Sequence, residues 1–237
     1  MALRSLATVL FVIAIPLALI TTNIRFVANE PRVYTYAIDQ HDAVQTTGIE
    51  RAELLRGGAE LRRFFNNDQA TLLIRVQQDG REVSLFNARE TVHLEDVKDR
   101  FRLMNRVQEF SVLYVLAYIA AVVLWAREIS PRALAVQVAG GCALLLGTVA
   151  VVGVIGMAGF DTAWEDFHRL IFSNDFWRLN PTTDHLIQMF PPAFWESIVF
   201  LIGLMTAAQA GLLLIFALIY LGASRRAESR PLEPFYA

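Results

Sequence analysis

Four histidines, His41, His93, His168 and His185, are the side chains in this chain best suited to move protons near neutral pH, and all lie outside its long apolar runs. His93 follows Thr91, which reads as a helix cap, so it falls in the first helical turn. The positive end of the helix dipole disfavours an imidazolium there, and a neutral imidazole is what a general base must be. The plainer reading is a polar residue closing a helix start. His168 shares a predicted helical face with Trp164, Phe167, Ile171 and Phe172. An imidazole buried there without a partner is costly, which points to a function, against the alternative of a satisfied interfacial histidine. His41, beside Asp42, and His185, beside Asp184, read as ordinary loop residues.

Other chemistries find less support. Glu90-x-x-His93 would place two metal ligands one turn apart only if the helix began before Glu90, and Asp96, Asp161, Asp166 and His168 would have to complete the shell. With Thr91 as cap and no H-E-x-x-H spacing, no metal is expected. No G-x-S-x-G elbow marks a serine nucleophile, and Ser84 and Ser173 have no distinguishing context. The single cysteine, Cys142, lies in an apolar run, so neither an intrachain disulfide nor a thiolate metal site is available. No phosphate-binding glycine loop occurs either. The residues themselves leave imidazole acid–base chemistry open beside the plainer readings of both histidines, with metal binding the less favoured alternative and no cofactor expected.

The elements that must position these residues are set by a lipid solvent. Of 237 residues, 55% are hydrophobic, and the mean hydropathy is +0.41. Charge-free runs occupy Ser5–Ile24, Phe110–Ala126, Ala133–Phe160 and Ser197–Ser224. A helix rising about 1.5 Å per residue crosses the hydrocarbon core in roughly 20 residues, and in lipid only internal hydrogen bonding satisfies the backbone. The expected fold is therefore an α-helical integral membrane protein with transmembrane helices at 5–24, 110–126, 133–160 and 197–224. The first run lacks a clean small-x-small cleavage site, so it reads as an uncleaved anchor.

Orientation follows from the short basic segments. The N-terminus, the Arg127–Arg132 loop and the tail at 225–237 hold six basic and three acidic residues. The segments 25–109 and 161–196 hold fifteen and twenty. Short basic loops stay cytoplasmic, so both termini are expected inside and both large segments outside, in a plasma membrane. Lys98, Arg100, Arg102 and Arg106 oppose this, but they belong to a long loop, which translocates largely regardless of charge.

Segment 25–109 is long enough to fold as a small α/β cap. Thr47-Gly-Ile-Glu50 has capping-box spacing ahead of Leu54, Leu55, Leu61 and Phe64. Leu72, Ile74 and Val76 alternate up to Asp79-Gly80, and Val83 and Leu85 alternate after it, which predicts a β-hairpin on a primed turn. A helix capped by Thr91, with apolar face Leu94, Val97, Phe101 and Met104, runs on into the second span. In 161–196, Asp161 is expected to cap a short aromatic helix lying in the interface.

Two stretches carry a family resemblance. Leu85-Phe86-Asn87-Ala88-Arg89-Glu90, His93 and Asp96-Val97-Lys98 form the first; Phe167-His168, Asn174-Asp175, Trp177 and Asp184-His185-Leu186-Ile187 through Phe190-Pro191 form the second. They resemble the signatures of a family of four-span bacterial membrane proteins that contains the lipoprotein intramolecular transacylase Lit. Leu94 departs from the methionine expected after the histidine, and Ile171 and Ser173 fall where the pattern reads Phe-Phe-Pro. The resemblance implies transfer of the sn-2 acyl chain of a diacylglyceryl-modified lipoprotein to the α-amino group of its N-terminal cysteine, giving the lyso form without a covalent enzyme intermediate. The partners it implies are a diacylated lipoprotein and membrane lipid, not nucleic acid. On this reading His93 is the base and His168 the oxyanion donor or relay, roles that can be exchanged. Arg89, Glu90, Asp96, Asn174, Asp175 and Trp177 are the supporting or positioning candidates. The rivals are a non-enzymatic accessory or sensor, and a lipid or lipoprotein esterase using the same histidines with water.

Overall fold

The structure, a computed structural model, describes residues 2–124 and 130–228. The order is α1 (Ala2–Asn29), α2 (Pro31–Gln40), α3 (Ala43–Thr47), α4 (Arg51–Phe65), β1 (Arg75–Gln78), β2 (Arg81–Ser84), α5 (Ala88–Leu124), α6 (Pro131–Ile171), α7 (His185–Met189) and α8 (Pro192–Glu228). Among the described residues, α1, α5, α6 and α8 are long and apolar enough to cross a membrane. The fold is that of a four-span helical membrane protein with a small two-stranded sheet. Arg127 and the side chains of Arg226 and Arg230, on which the expected orientation rests, lie outside the described residues.

The chain divides into two compact units. One holds 1–22, 107–151 and 203–237, and so most of the charge-free sequence. Phe11, Ile15, Cys142, Leu145 and Ala210 form its buried cluster, with Phe11 stacked on Tyr118 at 4.3 Å. Polar groups find partners inside the bundle: Tyr114 Oη donates to the Ala7 carbonyl at 2.9 Å, and Thr8 and Tyr118 share a hydrogen bond. Leu116, Val123 and Val151 stay exposed, as side chains do when lipid is their solvent.

The other unit comprises 23–106 and 152–202. Its core is Ile38, Ile49, Leu54, Leu61, Phe64, Val76 and Leu85. The hairpin pairs β1 with β2 in the register Val76↔Val83. Asp79 (φ 52°) and Gly80 (φ 75°) supply the two left-handed residues of its turn. Lys98 is buried: its ammonium donates to Asn67 Oδ1 and the Gln69 carbonyl and sits 3.8 Å from the centre of the Phe64 ring. It is thus a core tether rather than part of a basic surface.

Two helix boundaries differ from the sequence expectation, each for a local reason. Thr47 starts no helix: it ends α3, its hydroxyl donating to the Ala43 carbonyl, and Gly48 at φ 67° closes that helix. The α4 N-cap is Glu50. Thr91 is inside α5, whose cap is Asn87. At Gly159 (φ 167°, ψ 87°) the Pro131–Ile171 run breaks into two helices, so a separate helix begins beside Asp161 as the sequence expects.

Candidate active site

The start of α5 is a reciprocal capping box. Asn87 Oδ1 accepts the Glu90 amide at 3.1 Å, and Glu90 Oε2 accepts the Asn87 amide at 2.7 Å. The other Glu90 oxygen accepts the Leu186 amide at 2.6 Å, so this 1%-exposed carboxylate joins the start of α5 to α7. Its burial pushes the carboxyl pKa up, while the two backbone donors oppose that. Asn87 Nδ2 donates to Asp184, whose carboxylate also accepts from the Asn180 amide and the Thr183 hydroxyl. The spacing Asn87-x-x-Glu90 is itself a capping signal, and Thr91 masks it.

His185 is not the free loop residue expected. Its Nδ1–H donates to the carbonyl of the fully buried Leu85 at 2.7 Å. Replacing His185 with alanine is expected to lower Tm, by the ~1–3 kcal/mol that an unpaired buried carbonyl costs, in thermal unfolding of the detergent-solubilised protein. An unchanged Tm would show that this tether contributes nothing. His41 is flanked by Tyr36 and Phe194.

His93 lies in the second turn of α5, beyond the reach of the helix dipole, which fades within the first turn. It is 7% exposed and His168 is 9% exposed. The two rings, from distant parts of the chain, have centroids 6.0 Å apart. Phe172 touches both, at 5.1 and 5.6 Å. Trp164, Phe167 and Trp177 complete the wall around His168. Burial, reinforced by the neighbouring His168, pushes the His93 pKa down to about 4, with the Asp96 charge pulling the other way. Burial also lowers the His168 pKa, partly offset by the Trp164 carbonyl.

That carbonyl, 2.7 Å from His168 Nδ1, can only accept. The proton of the neutral imidazole is therefore on Nδ1, and Nε2 carries the lone pair. In His93, Nδ1 is buried without a partner. A bare lone pair is cheaper to leave there than an orphaned N–H, so His93 bears its proton on Nε2 and is a donor. Among the described residues, neither Nε2 has a protein partner.

The segment between α6 and α7 is held from α5. Arg89 Nη1 donates to the carbonyls of Asp175 and Arg178, each at 3.0 Å. This fixes the turn that carries Trp177 against His168. Asn174 Nδ2 donates to Asp96 Oδ2 at 2.8 Å. The Asp175 side chain is exposed and pairs with Arg178, so Asp175 contributes its carbonyl and not its carboxylate to this arrangement. Arg178 also lies over the Trp177 ring at 4.8 Å. Among the described residues, no three His, Cys, Asp or Glu side chains converge as a metal site requires.

A family model described as Lipoprotein intramolecular transacylase Lit matches residues 9–195. Among solved structures, the chain resembles the in meso structure of the membrane integral lipoprotein intramolecular transacylase Lit from Bacillus cereus. The TM-score is 0.78 at 18% identity, covering 95% of this chain and 99% of that one. Two variants of that protein also match, each at a TM-score of 0.73 and 17% identity. A histidine is replaced by arginine in one, covering 96% of both chains, and by alanine in the other, covering 95% of this chain and 96% of that one. At such identity the likeness is one of fold. No curated protein sequence matches.

Proposed function

The chain belongs to the lipoprotein intramolecular transacylase Lit family, and from that premise we propose that it moves the sn-2 acyl chain of a diacylglyceryl-modified lipoprotein onto the α-amino group of the same molecule's N-terminal cysteine, with His168 as base and His93 as oxyanion donor. One observation carries the reading: two buried neutral imidazoles, 6.0 Å apart between centroids, with His168 Nδ1 committed to the Trp164 carbonyl. This exchanges the roles that the sequence suggested first.

The reaction needs little else. The neutral amine attacks the ester carbonyl, forming a C–N bond, and the resulting oxyanion accepts a hydrogen bond from His93 Nε2–H. The amine proton passes to His168 Nε2. Collapse breaks the bond between the acyl carbon and the glycerol oxygen, and that oxygen takes the proton from His168. The products are an amide and a free hydroxyl, and both imidazoles return to their starting state. Nucleophile and ester reside in one molecule, so much of the entropic cost of bringing them together is already met. No nucleophile from the protein is required. The aromatic wall of Trp164, Phe172 and Trp177 excludes water from His168, which favours aminolysis over hydrolysis and disfavours the esterase reading. The direct test is conversion of a synthetic diacylated lipopeptide by the purified protein.

In the same reading, 25–109 and 161–196 lie on the non-cytoplasmic side of a plasma membrane, where lipoprotein N-termini mature. Single cysteines introduced at Asp79 and Arg127, in a Cys142→Ala background, test this with an impermeant maleimide on intact cells. Labelling at position 79 and not at 127 is expected; the reverse pattern inverts the topology.

A further inference from the structure

We propose that Asp96 is the subsite for the substrate's α-amino group, holding it as an ammonium on arrival, which releases one proton to solvent before attack, and stabilising the positive charge that its nitrogen acquires during attack. The inference rests on the transacylase reading above. It starts from position: Asp96 follows His93 by three residues on α5, so the two side chains leave the same helical face about one turn apart. The Asp96 charge is felt at His93. Asn174, from the segment carrying Trp177, donates to Oδ2, which turns the carboxylate and leaves Oδ1 with no partner among the described residues. Asp96 is half-buried, whereas the His93 imidazole one turn before it is closed in on its Nδ1 side.

Elimination supports the same residue. The Glu90 carboxylate is taken up by the Asn87 and Leu186 amides, and Asp184 by Asn180, Thr183 and Asn87. Asp175 pairs with Arg178, and Glu165 with Arg169. Asp96 is the carboxylate beside His93 whose partner among the described residues is one neutral amide. An amine entering from water loses its hydration shell in an aromatic pocket, and an unpaired cation there is expensive. A carboxylate with one oxygen unoccupied meets that need. As the amine nitrogen bonds to the acyl carbon it becomes positively charged until His168 takes its proton. A fixed anion alongside therefore stabilises the transition state more than the neutral ground state.

The test uses two unreactive probes: a diether analogue of the diacylated lipopeptide with a free α-amine, and its N-acetyl counterpart. Wild-type protein is expected to bind the free amine about tenfold or more tightly than the N-acetyl form, as a charge-assisted hydrogen bond implies. Asp96→Asn keeps the contact with Asn174 and removes the charge. It should lose that preference while binding the N-acetyl probe as wild type does, and its kcat/KM should fall about 100-fold. Equal binding of the two probes by wild-type protein overturns the proposal without reference to any variant. So does an Asp96→Asn protein that keeps both the preference and the activity. Failure of wild-type protein to convert the ester substrate at all would instead overturn the transacylase reading, a separate outcome.

Discussion

His168→Phe should be nearly inactive, with kcat/KM for a diacylated lipopeptide reduced about 1,000-fold, the scale of a lost general base. Phenylalanine is the informative replacement because His168 sits among Trp164, Phe167, Phe172 and Trp177. Another aromatic ring fills that space and keeps the wall, so lost activity reports the missing Nε2 lone pair rather than a cavity. His168→Gln should be equally poor, since an amide offers no base. The pH dependence carries the same assignment. A base works only when unprotonated, and burial lowers the His168 pKa below that of ordinary imidazole. Once corrected for the substrate amine's own titration, wild-type kcat/KM should therefore be flat through neutral pH and fall only in acid, below about 6.5. A variant of His168 that kept its rate would end this assignment.

His93→Ala should cost about 100- to 1,000-fold, the loss associated with one oxyanion donor. Its signature is distinct. The acid limb assigned to His168 should persist in His93→Ala, because the base is still present. His93→Gln should recover part of the rate, because glutamine restores an N–H donor. If His93 were the base, glutamine would recover nothing and the acid limb would disappear. Removing both histidines should cost much less than the product of the single effects, since residues acting on one transition state are strongly non-additive. Stability shifts the same way with pH. Burial holds the His93 pKa at about 4 in the folded state, so the unfolded chain binds more protons between that value and the ordinary 6.5. Folding stability should therefore decline as pH falls through that window.

Much of this fold is legible in the sequence because lipid imposes a simple rule. Charge-free runs of sufficient length become helices, and Phe11, Cys142, Leu145 and Ala210 pack as the interior of such a bundle. The hairpin is legible because Asp79-Gly80 is a turn that few other conformations accept, and Val76 and Val83 alternate around it. Helix ends are less legible where two capping signals compete. Asn87 and Thr91 both precede an apolar run; Asn87 prevails because Glu90 stands three residues on to complete the box. By contrast, Gly159 and Asp161 are legible, since a glycine break followed by a polar residue reads as a helix start, and a second helix does follow the break at Gly159.

In the site, residue types point to His93 and His168, but nothing local foretells that Phe172 lies against both rings. The roles of His185 and Asp175 are invisible for a related reason. One acts through the Leu85 carbonyl a hundred residues away, and the other offers its own carbonyl to Arg89. Backbone acceptors carry no side-chain signature. The proton positions, which decide base from donor, come from the Trp164 carbonyl and from the unpartnered Nδ1 of His93, and neither is a property of sequence spacing.

Tandem mass spectrometry of one synthetic diacylated lipopeptide, before and after incubation with the purified protein, tests the central claim most directly. Acyl transfer from oxygen to nitrogen within one molecule is an isomerisation, so the parent mass must not change. The fragments must, with the acyl chain moving from the glyceryl group to the α-nitrogen of the cysteine and one glyceryl hydroxyl becoming free. That pattern, present with wild-type protein and absent with His168→Phe, is the predicted result. A parent ion lighter by one acyl chain, with the free fatty acid released, would identify an esterase and contradict the account, and an unaltered fragment pattern would leave the chain an accessory protein rather than a catalyst.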